Sequence, residues 1–168
     1  MKRTFVSRNK QEGQPVYLDC NATAPLELAA RDAMLPWFGE QIGNAGSRTH
    51  EYGLRAKKAV QRAREQVAAV VQCTPDEVAF TSGATESDNL AILGLAPFGE
   101  RSGRRHIIST AIEHKAVLEP LQALQARGFE ITLLKPESSG AVSAAAVAEA
   151  LRPDTLLVSV MQANNETG

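Results

Sequence analysis

Along most of this chain the apolar residues recur with a helical period, and short continuous apolar runs break up that pattern. The clearest helical stripe runs over Leu54 to Val71, where Val60, Ala63, Val67, Val70 and Val71 share one face and Arg55, Lys58, Arg62 and Arg64 occupy the remainder. That pattern predicts an amphipathic helix with a solvated basic face. A shorter helix is expected from Pro25, a good first helical residue, with Leu28, Ala29, Ala33 and Met34 on one side until Pro36 interrupts it.

Three further strand and helix alternations follow. Val78-Ala79-Phe80 is a short apolar run that ends at Thr81-Ser82-Gly83, after which Thr85 to Ala96 resumes a helical pattern. A strand over His106 to Ser109 precedes a helix over Lys115 to Arg127, which Gly128 stops. A strand over Phe129 to Leu134 leads to a helix capped by Ser143 and reaching Leu151, and Pro153 separates that helix from a strand over Leu156 to Met161. The last strand has almost no polar alternation, as a central strand would. Parallel strands need helical crossovers, so the expected fold class is α/β, with a mostly parallel sheet and helices on both faces.

Composition bounds the function without naming it. A chain of 168 residues with 43% hydrophobic residues is expected to form a real core. Its net charge of -1 gives no reason to expect direct nucleic-acid binding. No apolar run approaches the roughly 20 residues of a membrane span, so a soluble protein without a membrane partner is expected. Cys20 and Cys73 form no CxxC pair, which suits a reducing, cytoplasmic setting, and no metal site is expected. Residues 1–15 read as a loose tail, 16–53 as an arm, helix and loop, and 54–168 as an incomplete large domain.

Ligands of open parallel sheets bind beyond the carboxyl ends of the strands, and three polar clusters are expected there. In TSGATES, Gly83 turns the backbone so that the N–H groups of Ala84 and Thr85 face an anion such as a phosphate; the alternative is that Ser82 or Thr85 simply caps the helix. Glu86 would disfavour phosphate if it faced the site, but a first-turn side chain can point away. In IEHKAV, His114 opens a helix where a neutral imidazole can stack on an aromatic cofactor or move protons; the alternative is a structural histidine. Lys115 beside it reads as a solvent-facing charge. In MQANNETG, Asn164 and Asn165 offer carboxamides suited to a ring hydroxyl or a carboxylate, or form an ordinary turn.

Taken together, FTSGATESDNLAI, EHKAVLEP, GFEITLL and DTLLVSVMQANNETG resemble the cysteine desulfurases in order and spacing, and YLDCNATAP with GNAGSRTHEYG resembles their N-terminal arm and following loop. The resemblance runs from about Val16 to Gly168. It implies a homodimeric, fold-type-I, pyridoxal 5'-phosphate (PLP) enzyme that removes sulfur from L-cysteine as an enzyme persulfide, leaves alanine, and passes the sulfur to an acceptor protein. Residue by residue, it implies that Ala84 and Thr85 bind the cofactor phosphate and that His114 stacks on the ring and assists proton transfer. It further implies that Asn165 bonds near the ring hydroxyl and the substrate carboxylate, and that Asn21-Ala22-Thr23 approaches the substrate.

The family's ring-nitrogen aspartate, Schiff-base lysine and persulfide cysteine lie after the NNETG segment, so the chain is expected to be an N-terminal portion that is inactive alone. Cys20 departs from the family's arm and is not in the setting of its sulfur-carrying cysteine. The resemblance leaves open another PLP enzyme of the same superfamily, a selenocysteine lyase or an aminotransferase, and a non-catalytic scaffold half. It also leaves open whether the sulfur serves iron–sulfur cluster assembly, tRNA thiolation or DNA phosphorothioation.

Overall fold

In the computed structural model, which describes residues 15–167, three parallel strands form one sheet in the order β2-β1-β3. The strands are β1 (His106–Thr110), β2 (Glu130–Leu134) and β3 (Thr155–Val158). Helix α5 (Lys115–Ala126) joins β1 to β2, and α6 (Ala144–Ala150) joins β2 to β3. Upstream lie α1 (Leu28–Met34), α2 (Glu51–Val71), α3 (Ala84–Gly94) and α4 (Ala96–Ser102), with short 3-10 turns at Leu35–Phe38 and Pro75–Glu77. The tail expected at 1–15 lies, apart from Pro15, outside the described residues.

Every residue of β1 is buried, which makes it the centre of the sheet. Ile107 packs with Ile92, Ala96, Val117, Leu121, Leu124 and Phe129 from α3, α4, α5 and the residue before β2. Burying a side chain such as Leu121 or Leu124 contributes about 1.5–3 kcal/mol. Strand alternation turns Ile108, fully buried, to the opposite face. Helix α4 approaches the sheet so closely that a Cβ on Gly99 would lie 2.8 Å from Leu156 and 2.9 Å from Phe129. Only glycine fits there without displacement.

His106 ties the three strands together. Its Nδ1 lies 2.9 Å from the Thr155 hydroxyl on β3, and its Nε2 lies 2.8 Å from the Thr132 hydroxyl on β2. Thr155 Oγ1 also accepts the Arg152 N–H at 2.8 Å, and we assign the tautomer that gives its own hydrogen an acceptor, with Nδ1 accepting from Thr155 and Nε2 donating to Thr132. Burial and the nearby Arg152 hold the imidazole below its ordinary pKa, consistent with this neutral form.

Three expectations change. Val78-Ala79-Phe80 is not a strand: no strand pairs with it, and Arg64 instead donates to the Val78 carbonyl and lies over the Phe80 ring. The valine stripe of α2 faces outward, with Val70 81% and Val71 62% exposed. Helix α2 packs on the Pro75–Glu77 turn rather than on the sheet, and its buried positions are the small residues Gly53, Ala56 and Ala68. The last strand stops at Val158 and is an edge of the sheet among the described residues.

Candidate functional site

Helix α3 begins without a side-chain cap. Its N-cap is Gly83, and no acceptor among the described residues takes the N–H groups of Ala84 and Thr85. Neither Ser82 nor Thr85 supplies the cap. Glu86 bends back so that one carboxylate oxygen accepts both the N–H and the hydroxyl of Ser82 at 2.6 Å, and these bonds hold its carboxyl below the usual range. The acid is thereby occupied by Ser82. Free N–H groups at the positive end of an eleven-residue helix suit a phosphate.

His114 stands at the start of α5 as its N-cap: its Nδ1 accepts the Ala116 N–H at 3.1 Å. That bond fixes the ring by its Nδ1 edge and leaves Nε2 and both ring faces free of the cap. Thr85 and His114 line one hollow of about 480 Å³ between α3 and α5, with Asn89, Lys115 and Glu119 on its walls. Lys115 is exposed, as expected for a solvent-facing charge. The site is thus built from an uncapped helix start and an imidazole on the neighbouring helix.

Asn89 registers these two helices, a role that sequence reasoning did not assign. Pro120 inside α5 has no N–H, so the Ala116 carbonyl four residues earlier loses its helical donor. The Asn89 carboxamide supplies one at 3.4 Å while also donating to the Thr85 carbonyl at 2.8 Å. A proline four residues after an alanine in a helical pattern was the available signal.

The third cluster follows β3. Asn164 donates to the Ile112 carbonyl at 2.8 Å, and its Oδ1 accepts the N–H groups of Glu166 and Thr167 at 2.8 and 2.9 Å. Asn164 is therefore a structural residue that folds the turn. Asn165 is exposed and donates to Glu166 at 2.9 Å. Glu113, also unassigned from sequence, is buried and accepts the Met161 N–H at 2.5 Å. Burial raises its pKa, with Asp88 adding to the rise and the Met161 bond opposing it.

The clusters at 110–114 and 164–167 lie after strands β1 and β3, whereas the 81–86 cluster follows no strand. Ala84, Asn165 and the arm residues Asn21, Ala22 and Thr23 do not line the hollow that holds Thr85 and His114. The side-chain bonds of the arm are internal, from the Tyr17 hydroxyl to the carbonyls of Asp19 and Thr23. Cys20 is exposed and Cys73 partly buried, and both are free thiols.

The chain is 50% identical over 154 residues to the cysteine desulfurase IscS of Anaeromyxobacter sp. (strain K), covering 92% of this chain and 38% of that protein. It is 47% identical over 154 residues to a probable mitochondrial cysteine desulfurase of Schizosaccharomyces pombe, covering 92% of this chain and 30% of that one. The chain thus spans well under half the length of these relatives.

Among solved structures, DndA from Streptomyces lividans is 61% identical with a TM-score of 0.80, over 91% of this chain and 42% of that one. A structure of SspA in complex with cysteine is 39% identical with a TM-score of 0.82, over 89% and 43%. The family model described as aminotransferase class-V matches residues 16–168, and the chain belongs to that family.

Proposed function

We propose that this chain supplies the cofactor-binding part of a PLP-dependent cysteine desulfurase. The observation that carries the reading is the uncapped start of α3, whose Thr85 shares a hollow with His114. The cofactor fits on chemistry: free N–H donors suit its phosphate, and an imidazole with an open face suits its ring. When bound, PLP supplies an electron sink for the substrate's carbon framework.

In this reading Ala84 and Thr85 hold the phosphate through their N–H groups, while Glu86 stays turned onto Ser82. His114 packs on the ring and exchanges protons at Nε2, since Nδ1 is engaged by the helix. Asn165 hydrogen-bonds near the ring hydroxyl and the substrate carboxylate, and Asn21-Ala22-Thr23 approaches the substrate side. The substrate is L-cysteine: its C–S bond breaks, the carbon framework leaves as L-alanine, and the sulfur joins an enzyme cysteine as a persulfide for an acceptor protein. The identity to named cysteine desulfurases and the likeness to a structure holding cysteine support this choice. We place the enzyme in the cytoplasm as a homodimer.

The test is release of L-alanine from L-cysteine by the full-length protein with PLP, with persulfide measured in parallel. Equal amounts of alanine and thiol-reducible sulfur are expected. A protein that binds PLP and transaminates cysteine or ignores it would overturn the desulfurase reading.

A further inference from the structure

Glu113 is a buried acid that the proposed chemistry does not use. It lies in the turn between β1 and α5 and is only 8% exposed. Its carboxylate accepts the N–H of Met161, 48 residues away in the segment leaving β3, at 2.5 Å. A second bond joins the same two segments, this time with the side chain supplied by the segment after β3: the Asn164 carboxamide donates to the Ile112 carbonyl at 2.8 Å. The turn before His114 is thus fastened twice to the turn before Asn165.

A buried carboxylate with a like charge nearby is a poor device for stability alone. Burial penalises its charged form, and Asp88 on α3 raises its pKa further. The bond to Met161 offsets part of that cost. What the arrangement supplies is position, because a short hydrogen bond fixes the spacing of the two loops just beyond the paired ends of β1 and β3.

We propose that Glu113 is a positioning residue, a latch between the β1–α5 turn and the segment after β3 that sets His114 and Asn165 in register for the cofactor ring. The inference rests on the functional reading above. Glu113 touches neither cofactor nor substrate; it acts through the backbone of its neighbour His114 and of Met161. Asn164 completes the latch from the other side.

The test uses Glu113→Ala, Glu113→Asp and Glu113→Gln in the full-length protein, with Ile108→Val as a destabilised control away from the site. Two quantities are read: hydrogen exchange at the Met161 amide, and PLP affinity with the absorbance of the bound cofactor. Alanine removes the acceptor and aspartate withdraws it by one methylene. Both are expected to expose the Met161 amide, weaken PLP about tenfold and shift the absorbance band. Glutamine keeps an acceptor oxygen without the charge and is expected to restore both.

Ile108→Val is expected to lower the melting temperature without moving PLP affinity. If Glu113→Ala does not fold, Glu113→Asp against Glu113→Gln gives the same contrast. PLP affinity within twofold of wild type in the alanine or aspartate variant, or a glutamine variant as weak as alanine, would overturn the latch. A wild-type protein that binds no PLP would instead refute the proposed function, while Met161 exchange would still report whether the latch exists.

Discussion

Replacing Ala84 by proline separates the phosphate-binding role of the α3 start from its structural role. Ala84 is the first residue of α3, and its N–H has no acceptor among the described residues, so removing it breaks no helical bond. Gly83 before it is extended, as a residue preceding proline must be, and the helical turns beginning at Leu35, Pro75 and Ala96 already carry proline at a first or second position. Folding stability should therefore change by less than about 0.5 kcal/mol.

A phosphate at this turn loses one charge-assisted bond, worth about 1.5–3 kcal/mol, which is roughly a 10- to 150-fold loss of PLP affinity. Pyridoxal, which has no phosphate, should bind the variant and the wild type alike. The assay is titration of both ligands, with urea midpoints recorded on the same samples. PLP affinity within twofold of wild type at an unchanged midpoint would refute the assignment of the α3 start to the phosphate.

The remaining predictions concern the framework. His106 is held neutral below its ordinary pKa of 6.5, so the unfolded chain takes up protons first as the pH falls below that value. Its contribution is present above pH 6.5 and is lost on acidification at up to about 1.4 kcal/mol per pH unit until the folded imidazole protonates. A pH series of urea midpoints should show that slope in the wild type and not in His106→Leu. Thr132→Val leaves the buried Nε2–H without its acceptor and should cost about 1–3 kcal/mol by the same measurement, an effect absent when His106 is also leucine. Gly99→Ala places a Cβ 2.7 Å from the Arg104 carbonyl and should lose about 1–3 kcal/mol in calorimetric unfolding.

Periodicity and local capping revealed most of the sheet. The strand beginning at His106, the helix from Lys115 and the Ser143 cap, which accepts the Ala146 N–H at 3.3 Å, all follow from signals a few residues long. Val78-Ala79-Phe80 carried the same apolar signal, but a strand needs a partner, and pairing is not a local property. The valines of α2 had the right period, yet period does not say what a face meets; α2 packs on the Pro75–Glu77 turn and on the loop preceding the helix, and its burial falls on glycine and alanine.

The site divides in the same way. The helix starts at Gly83 and His114 were legible because turn glycines and helix starts are local. Glu113 and His106 were not, because their partners lie 48 and up to 49 residues away with nothing between to mark the pairing, and for Asn89 the proline at 120 marks the open Ala116 carbonyl but not the side chain, 27 residues away, that fills it. Asn164 and Asn165 read alike in sequence and separate only in three dimensions. The first folds its turn onto Ile112, and the second stays exposed.

The most direct test is a crystal structure of the full-length protein with PLP and a nonreactive cysteine analogue. The account predicts the cofactor phosphate within hydrogen-bond reach of the Ala84 and Thr85 N–H groups, the His114 imidazole against the ring, and the analogue's carboxylate beside Asn165. A phosphate held elsewhere, or a ring that does not meet His114, would contradict it.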